Sequence, residues 1–343
     1  MRLPASISNR VETLLIQVLT ASFFGLSCGR EVPSIKAPDL PVGWPTANTV
    51  ADNPFNGERA ALGKELFFDT RLSAENNVSC GTCHQPERAW SVDEELVMGT
   101  SGTRFFRHPP SLVNVAFFLE YHWDGGTTSL EKQILAPLEN PDEMNIRIDT
   151  LIERLQADPY YKRRFREVFD RDPDMYGLSR SLAAYERALV SYNSKWDQVE
   201  AGTAEWTKAE AKGEALFYSS VLKCSSCHTP PLFTDREYHN TGLWKWGDFD
   251  PGRSRVTLDS ADLGKFKTPT LRNIGLSSPY FHNGSVREIE EVLAHYSRGG
   301  NGNQNQDSLV SGFELSSEDQ ENLIAFLRAL NDSTSIANPE LLP

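Results

Sequence analysis

Cys80-Gly81-Thr82-Cys83-His84 and Cys224-Ser225-Ser226-Cys227-His228 are two copies of C-x-x-C-H, the attachment signature of a c-type haem. In that chemistry both thiols bond covalently to the haem edge, and the following imidazole is placed to bind the iron from one side. Cysteines three positions apart on a helical turn share a face, which a single haem edge requires. A lone C-x-x-C would also suit half a zinc site or a redox dithiol. Zinc, however, wants four closely grouped ligands, and a redox dithiol has no use for a following histidine. Two copies, each with its histidine, mark a chain with two covalently bound haem c groups. Cys80, Cys83 and His84 would hold the first, and Cys224, Cys227 and His228 the second.

The flanking residues repeat one plan. Leu62, Leu66 and Phe67 stand at helical spacing ahead of the first motif. Ahead of the second, residues 207–217 read as a helix, with Thr207 and Glu210 at capping-box spacing. Between them lie two long helical patterns, one with Leu151 and Leu155, the other with Leu178, Leu182, Tyr185 and Leu189. A last helix opens at Ser317-Glu318-Asp319-Gln320 as a second capping box and carries Leu323, Phe326, Leu327 and Leu330 on one face. Strand signals are sparse. The expected fold is mainly α, with two cytochrome c-like haem domains packed together over residues 54–200 and 201–335. A length of 343 residues is enough for two such cores.

Cys28 is the one cysteine of five outside the haem motifs. It follows Arg2, Arg10 and an apolar run from Leu14 to Leu26 that is too short for a comfortable membrane span. Residues 1–27 therefore read as an export signal. Leu26-Ser27-Cys28 suggests a lipoprotein signal, with lipidated Cys28 as the membrane anchor; a plain signal cleaved nearby is the alternative. Either sends the protein to the periplasm, where c-type haem is attached. Residues 28–53, with Pro33, Pro38, Pro41 and Pro45 and no apolar periodicity, read as an extended tether. The net charge of −13 argues against nucleic acid as a partner. An acidic surface would suit a small basic electron donor, and equally serves solubility.

Several segments resemble the bacterial dihaem cytochrome c peroxidase family, including its MauG branch. They are residues 62–69, the first haem motif, Tyr121-His122-Trp123-Asp124-Gly125, Pro137 to Met144, Ala184-Tyr185-Glu186, Thr268 to Asn273 and Pro279 to Gly284. The resemblance implies unequal haems: the first, carried by His84, binds peroxide, and the second, carried by His228, relays electrons. It implies Glu143 as the acid–base group on the open face of the first haem, with Gln133 and Pro137 lining the pocket. It also sets Trp123 between the haems. From the residues alone, Asn140, Pro141, Asp142 and Glu143 read as the cap and first turn of a helix, and Trp123 as an ordinary buried aromatic.

Two departures from the family pattern bear on mechanism. Many members carry a histidine after the first motif that blocks the iron; here the place is Met98-Gly99-Thr100, and threonine is a poor haem ligand. His108 is the rival, but it precedes Pro109-Pro110 in a segment similar to the family, where the resemblance implies a structural role. The typical methionine ligand of the second haem aligns with Tyr296, as in the MauG branch. Ser285-Val286-Arg287-Glu288 reads as a capping box, after which Ile289, Val292, Leu293 and Tyr296 form one apolar stripe. His295 lies about 100° round the helix from Tyr296, so both cannot serve one iron. Tyr296 as plain core, with the iron five-coordinate or bound by His295, is the alternative. Family members also hold calcium between domains; the usual Asn position appears as His108, although the carbonyls of Ser277 and Pro279 would still suit a hard cation.

The expected activity is an exported dihaem peroxidase that reduces hydrogen peroxide, with a small cytochrome or copper protein as electron donor. A MauG-like oxidation of a protein substrate is the second expectation, and a non-enzymatic dihaem electron carrier the third. The resemblance is also compatible with a homodimer.

Overall fold

Gly63 and Gly213 sit at the two helix crossings on which this fold is built. A computed structural model of the chain describes residues 32–243 and 250–343. Helix Gly57–Phe67 crosses helix Met175–Ala188 so closely that a Cβ on Gly63 would stand 1.9 Å from the Ser181 carbonyl oxygen. Helix Lys208–Phe217 crosses Ser317–Arg328 in the same manner, and a Cβ on Gly213 would stand 2.0 Å from the Asn322 carbonyl oxygen. The residue signal is a short repeat, Gly63 with Leu66-Phe67-Phe68 and Gly213 with Leu216-Phe217-Tyr218. Apolar spacing alone does not flag it.

Each crossing closes an apolar core. Leu62, Leu66, Phe67, Leu151, Leu155, Leu178, Leu182 and Tyr185 are all buried in the first. Phe217, Leu323, Phe326, Leu327 and Leu330 are buried in the second. The chain's end returns to the first core, where Leu341 is buried and its carbonyl accepts the Tyr185 hydroxyl at 2.7 Å. Among the described residues, strands are limited to the antiparallel pair Tyr238–His239 and Phe266–Lys267. The mainly α expectation holds. No helix among the described residues is long and apolar enough to cross a membrane.

Local capping signals are met in part. Thr207 and Glu210 form the capping box their spacing predicted. The cap of Ser317–Arg328 is Ser316, one residue before the expected start, its side chain accepting from Asp319 N. Ser285 caps nothing: the helix begins at Ile289 with Glu288 as N-cap. Val286 instead pairs with Tyr280, Tyr280 N donating to the Val286 carbonyl at 2.6 Å, which keeps this stretch extended.

The described part of the expected tether, residues 32–53, is extended but lies on the globule. Ile35 and Asn53 are buried, Asn48 N donates to the Ala116 carbonyl at 2.7 Å, and Trp44 packs edge-on to Phe117. Single side chains anchor this segment one by one, so it shows no periodicity. The export signal and Cys28 lie outside the described residues.

Candidate haem centre

Both C-x-x-C-H motifs open into one cavity of about 700 Å³. The helix Cys80–Cys83 starts at Ser79, whose backbone N donates to Thr82 Oγ1 at 2.9 Å, and places both thiols on the cavity wall. Cys224–Ser226 is a 3₁₀ turn entered through Lys223 in the left-handed region. No disulfide ties up any of these four cysteines, so all four sulfurs are available for thioether bonds to haem.

The two histidines are held alike. His84 Nδ1 lies 2.9 Å from the Trp90 carbonyl and His228 Nδ1 lies 3.0 Å from the Phe233 carbonyl. With Nδ1–H donating to a carbonyl, Nε2 keeps its lone pair for a metal. Burial lowers the pKa of both, His84 to about 4, which keeps the imidazoles neutral. Paired thiols and a carbonyl-anchored imidazole in each half, facing one largely apolar cavity, fit two haem c groups.

Glu143 lies in the cavity wall with Gln133 and Pro137. It is not in a helix start, because residues 141–144 form a turn and the next helix begins at Ile148. Asn140 builds that turn: its Oδ1 accepts from Asp142 N at 3.1 Å and its Nδ2 donates to Glu143 Oε1 at 2.8 Å. Burial raises the Glu143 pKa, against the Asn140 hydrogen bond that lowers it. Its backbone carbonyl accepts from Thr100 N at 2.7 Å, and a Cβ on Gly99 would stand 1.8 Å from the Asp142 carbonyl oxygen. The Thr100 hydroxyl is turned away to Asn77 Oδ1, at 2.5 Å. His108 is likewise engaged, between Ser91 Oγ at 2.9 Å and the Glu94 carbonyl at 3.1 Å.

Trp123 forms cavity wall too, with Nε1 donating to the His108 carbonyl at 2.7 Å. Its ring meets His282 edge-on at 6.5 Å, and His282 stacks on Phe266 at 3.6 Å. Lys267 N donates to the Trp123 carbonyl at 2.8 Å, while its buried Nζ donates to the Glu120 carbonyl. On helix Ile289–Ser297, Ile289 and Leu293 are buried and Tyr296 lines the cavity. His295 is buried as well, but on another side, where its Nε2 lies 2.9 Å from the Thr241 carbonyl.

Two groups escaped the sequence analysis. His239, on strand Tyr238–His239, lies between Asp235 Oδ2 at 2.8 Å and Asp307 Oδ2 at 2.6 Å. Glu186 is buried in the cavity wall, and its Oε2 has no hydrogen-bond partner. Its signal was present: Leu178, Leu182 and Glu186 follow at i, i+4 and i+8, a carboxyl on an apolar stripe.

The model of the di-haem cytochrome c peroxidase family matches residues 57–205. Methylamine utilization protein MauG of Methylorubrum extorquens AM1 is 35% identical over 84% of this chain and 83% of that protein. The chain belongs to the di-haem cytochrome c peroxidase and MauG family. Cytochrome-c peroxidase IdrP1 of Pseudomonas sp. strain SCT is 29% identical over 96% of this chain and 94% of that protein. The crystal structure of a MauG-like protein associated with microbial copper homeostasis superimposes with a TM-score of 0.85 at 30% identity, covering 88% of this chain and 97% of that one. Membership in this family of oxidoreductases assigns a haem c to each motif, and the peroxidase and MauG branches both stand among its relatives.

Proposed function

We propose that this family member reduces hydrogen peroxide at the first haem and refills it with electrons through the second. The bound haem iron supplies the site at which the peroxide oxygen–oxygen bond is cleaved. Glu143 moves the proton between the two oxygens, which needs a carboxyl on the open side. Gln133 orients the oxygens and Pro137 shapes the pocket. The observation that carries this reading is the Glu143 carboxyl, in the cavity wall and held by Asn140, beside a loop whose Thr100 hydroxyl points elsewhere. Trp123 lies between the two halves as a stepping point for charge, and Tyr296 is the ligand proposed for the second iron.

What restores the electrons separates two versions. A small cytochrome or copper protein would make the chain a peroxidase. A bound protein whose side chains are oxidised would make it MauG-like, a version favoured by Tyr296 in the cavity wall and by the threonine at position 100. Steady-state turnover with a reduced small cytochrome supports the first; a peroxide-dependent covalent change in a partner supports the second. Export to the periplasm, with lipidation at Cys28, completes the reading and rests on residues 1–28 of the sequence.

The deciding experiment mixes the ferric protein with one equivalent of peroxide, without reductant, and follows the haem spectrum. A fast change is expected, slowed by about 10²- to 10⁴-fold in Glu143→Gln. A spectrum unchanged until the second haem is reduced would overturn the open first iron read from Thr100 and leave a reductively activated peroxidase; one unchanged by peroxide in either state would sink the proposal.

A further inference from the structure

Glu186 occupies the helix face of Leu178 and Leu182 and forms cavity wall within electrostatic reach of Cys80. It is 5% exposed, and Oε2 has no partner. The neighbouring cation is engaged elsewhere. Arg187 donates to Glu131 Oε1 at 2.7 Å, to Glu131 Oε2 at 3.2 Å and to the Asn48 carbonyl at 3.0 Å. A buried carboxylate with neither hydrogen bond nor ion pair is strongly disfavoured, and the charge of Arg187 offsets only part of that cost, so burial favours the neutral acid.

The groups facing it can be named by element. Its own helix contributes Arg187 and Tyr185, Leu130–Gln133 contributes Glu131, the haem-motif helix contributes Cys80, and the loop before Leu130 contributes Tyr121. Helix Gly57–Phe67, packed against it, directs Lys64 to the Leu342 carbonyl and Glu65 to Arg164. Burial, with Glu131 adding to it and Arg187 opposing, lifts the Glu186 pKa to about 8.

We propose that Glu186 is the proton partner of the first haem, releasing a proton to cavity water when that haem loses an electron and regaining it on reduction. Loss of an electron adds one positive charge to the site. In a poorly solvated cavity that charge stabilises the Glu186 carboxylate. Linkage makes the effect reciprocal: the protonated acid favours the reduced haem by the same factor. The electron leaves to the oxidant and the proton to water, so charge balances inside the cavity. Reduction of one peroxide to two waters takes two electrons and two protons. Glu143 transfers a proton between the oxygens, and Glu186 keeps a replacement beside the same haem. The inference rests on the haem placed at His84, but its test uses no peroxide, so it fails or survives separately from the peroxidase reading.

The test is a spectroelectrochemical titration of the holoprotein across pH. Below about pH 8 the first haem's midpoint potential is expected to fall as pH rises. The limit is a tenfold shift per pH unit, about 59 mV for one proton per electron. Glu186→Gln should flatten that slope. A flat wild-type profile, or a slope that persists in Glu186→Gln, overturns the proposal. Should the variant fail to take up haem, the wild type still decides through its reduced-minus-oxidised infrared spectrum. A protonated-carboxyl carbonyl band that appears on reduction supports the proposal, and its absence refutes it.

Discussion

Tyr296 and Glu143 show how differently two residues of the cavity wall are encoded. Tyr296 is set by helical arithmetic: it follows Ile289 and Leu293 by seven and three positions, and that stripe meets the cavity. A phenolate oxygen favours the oxidised iron more than a thioether does. Tyr296→Met should therefore raise the second haem's potential and abolish any phenolate-to-iron charge-transfer band. A spectrum and potential unchanged by the substitution would make Tyr296 a core residue and nothing more. Glu143 has no such arithmetic. From the residues it looked like the first turn of a helix; in the structure an Asn140 side chain and the Thr100 backbone hold it in a turn. Thr100 is 43 positions away in sequence, so local pattern could not reveal that support.

At the scale of elements, the same two crossings organise both halves. Gly63 and Gly213 let backbones approach to a distance that any Cβ forbids. Gly213→Ala must push Lys208–Phe217 off Ser317–Arg328, at a cost of about 1–3 kcal/mol from overpacking. The expected outcome is a lower Tm, with the second haem perturbed more than the first; an unchanged Tm would mean the helices tolerate separation. Caps were readable where the partner is three residues away, as with Thr207 and Glu210. Ser285 misled because Val286 is claimed by a bridge to Tyr280, and a pairing across a turn outweighs a cap signal.

Over the whole molecule, charge stitches the segments around the haems together. Asp124, fully buried, accepts from Arg107 at 2.7 Å and Arg255 at 2.6 Å, and Arg107 also holds Asp250 at 2.7 and 2.8 Å. Burial alone would raise the Asp124 pKa, but the two guanidiniums outweigh it and hold the carboxyl below its ordinary range. A folded-state pKa that is depressed stabilises the protein above the unfolded value, about 3.9. That stabilisation is lost as pH falls through the folded one. Asp124→Asn is expected to cost about 3 kcal/mol at neutral pH, the difference from wild type shrinking in acid. Denaturant unfolding at neutral and acid pH checks this, and a difference independent of pH would show that the charge is not its source.

What the sequence determined by itself was chemistry written within a few residues. Two C-x-x-C-H motifs specify covalent haem attachment, and i, i+3 and i+4 spacings specify the helices that carry Leu62, Leu182 and Tyr296. Tertiary structure alone decided how far each group is from water and from its partners. It buried Glu186 Oε2 without a hydrogen-bond partner, turned Thr100 to Asn77, and laid residues 32–53 along the globule. The physical reason is range. Covalent and helical geometry act over a turn of chain, whereas desolvation and charge pairing depend on residues that only folding brings together.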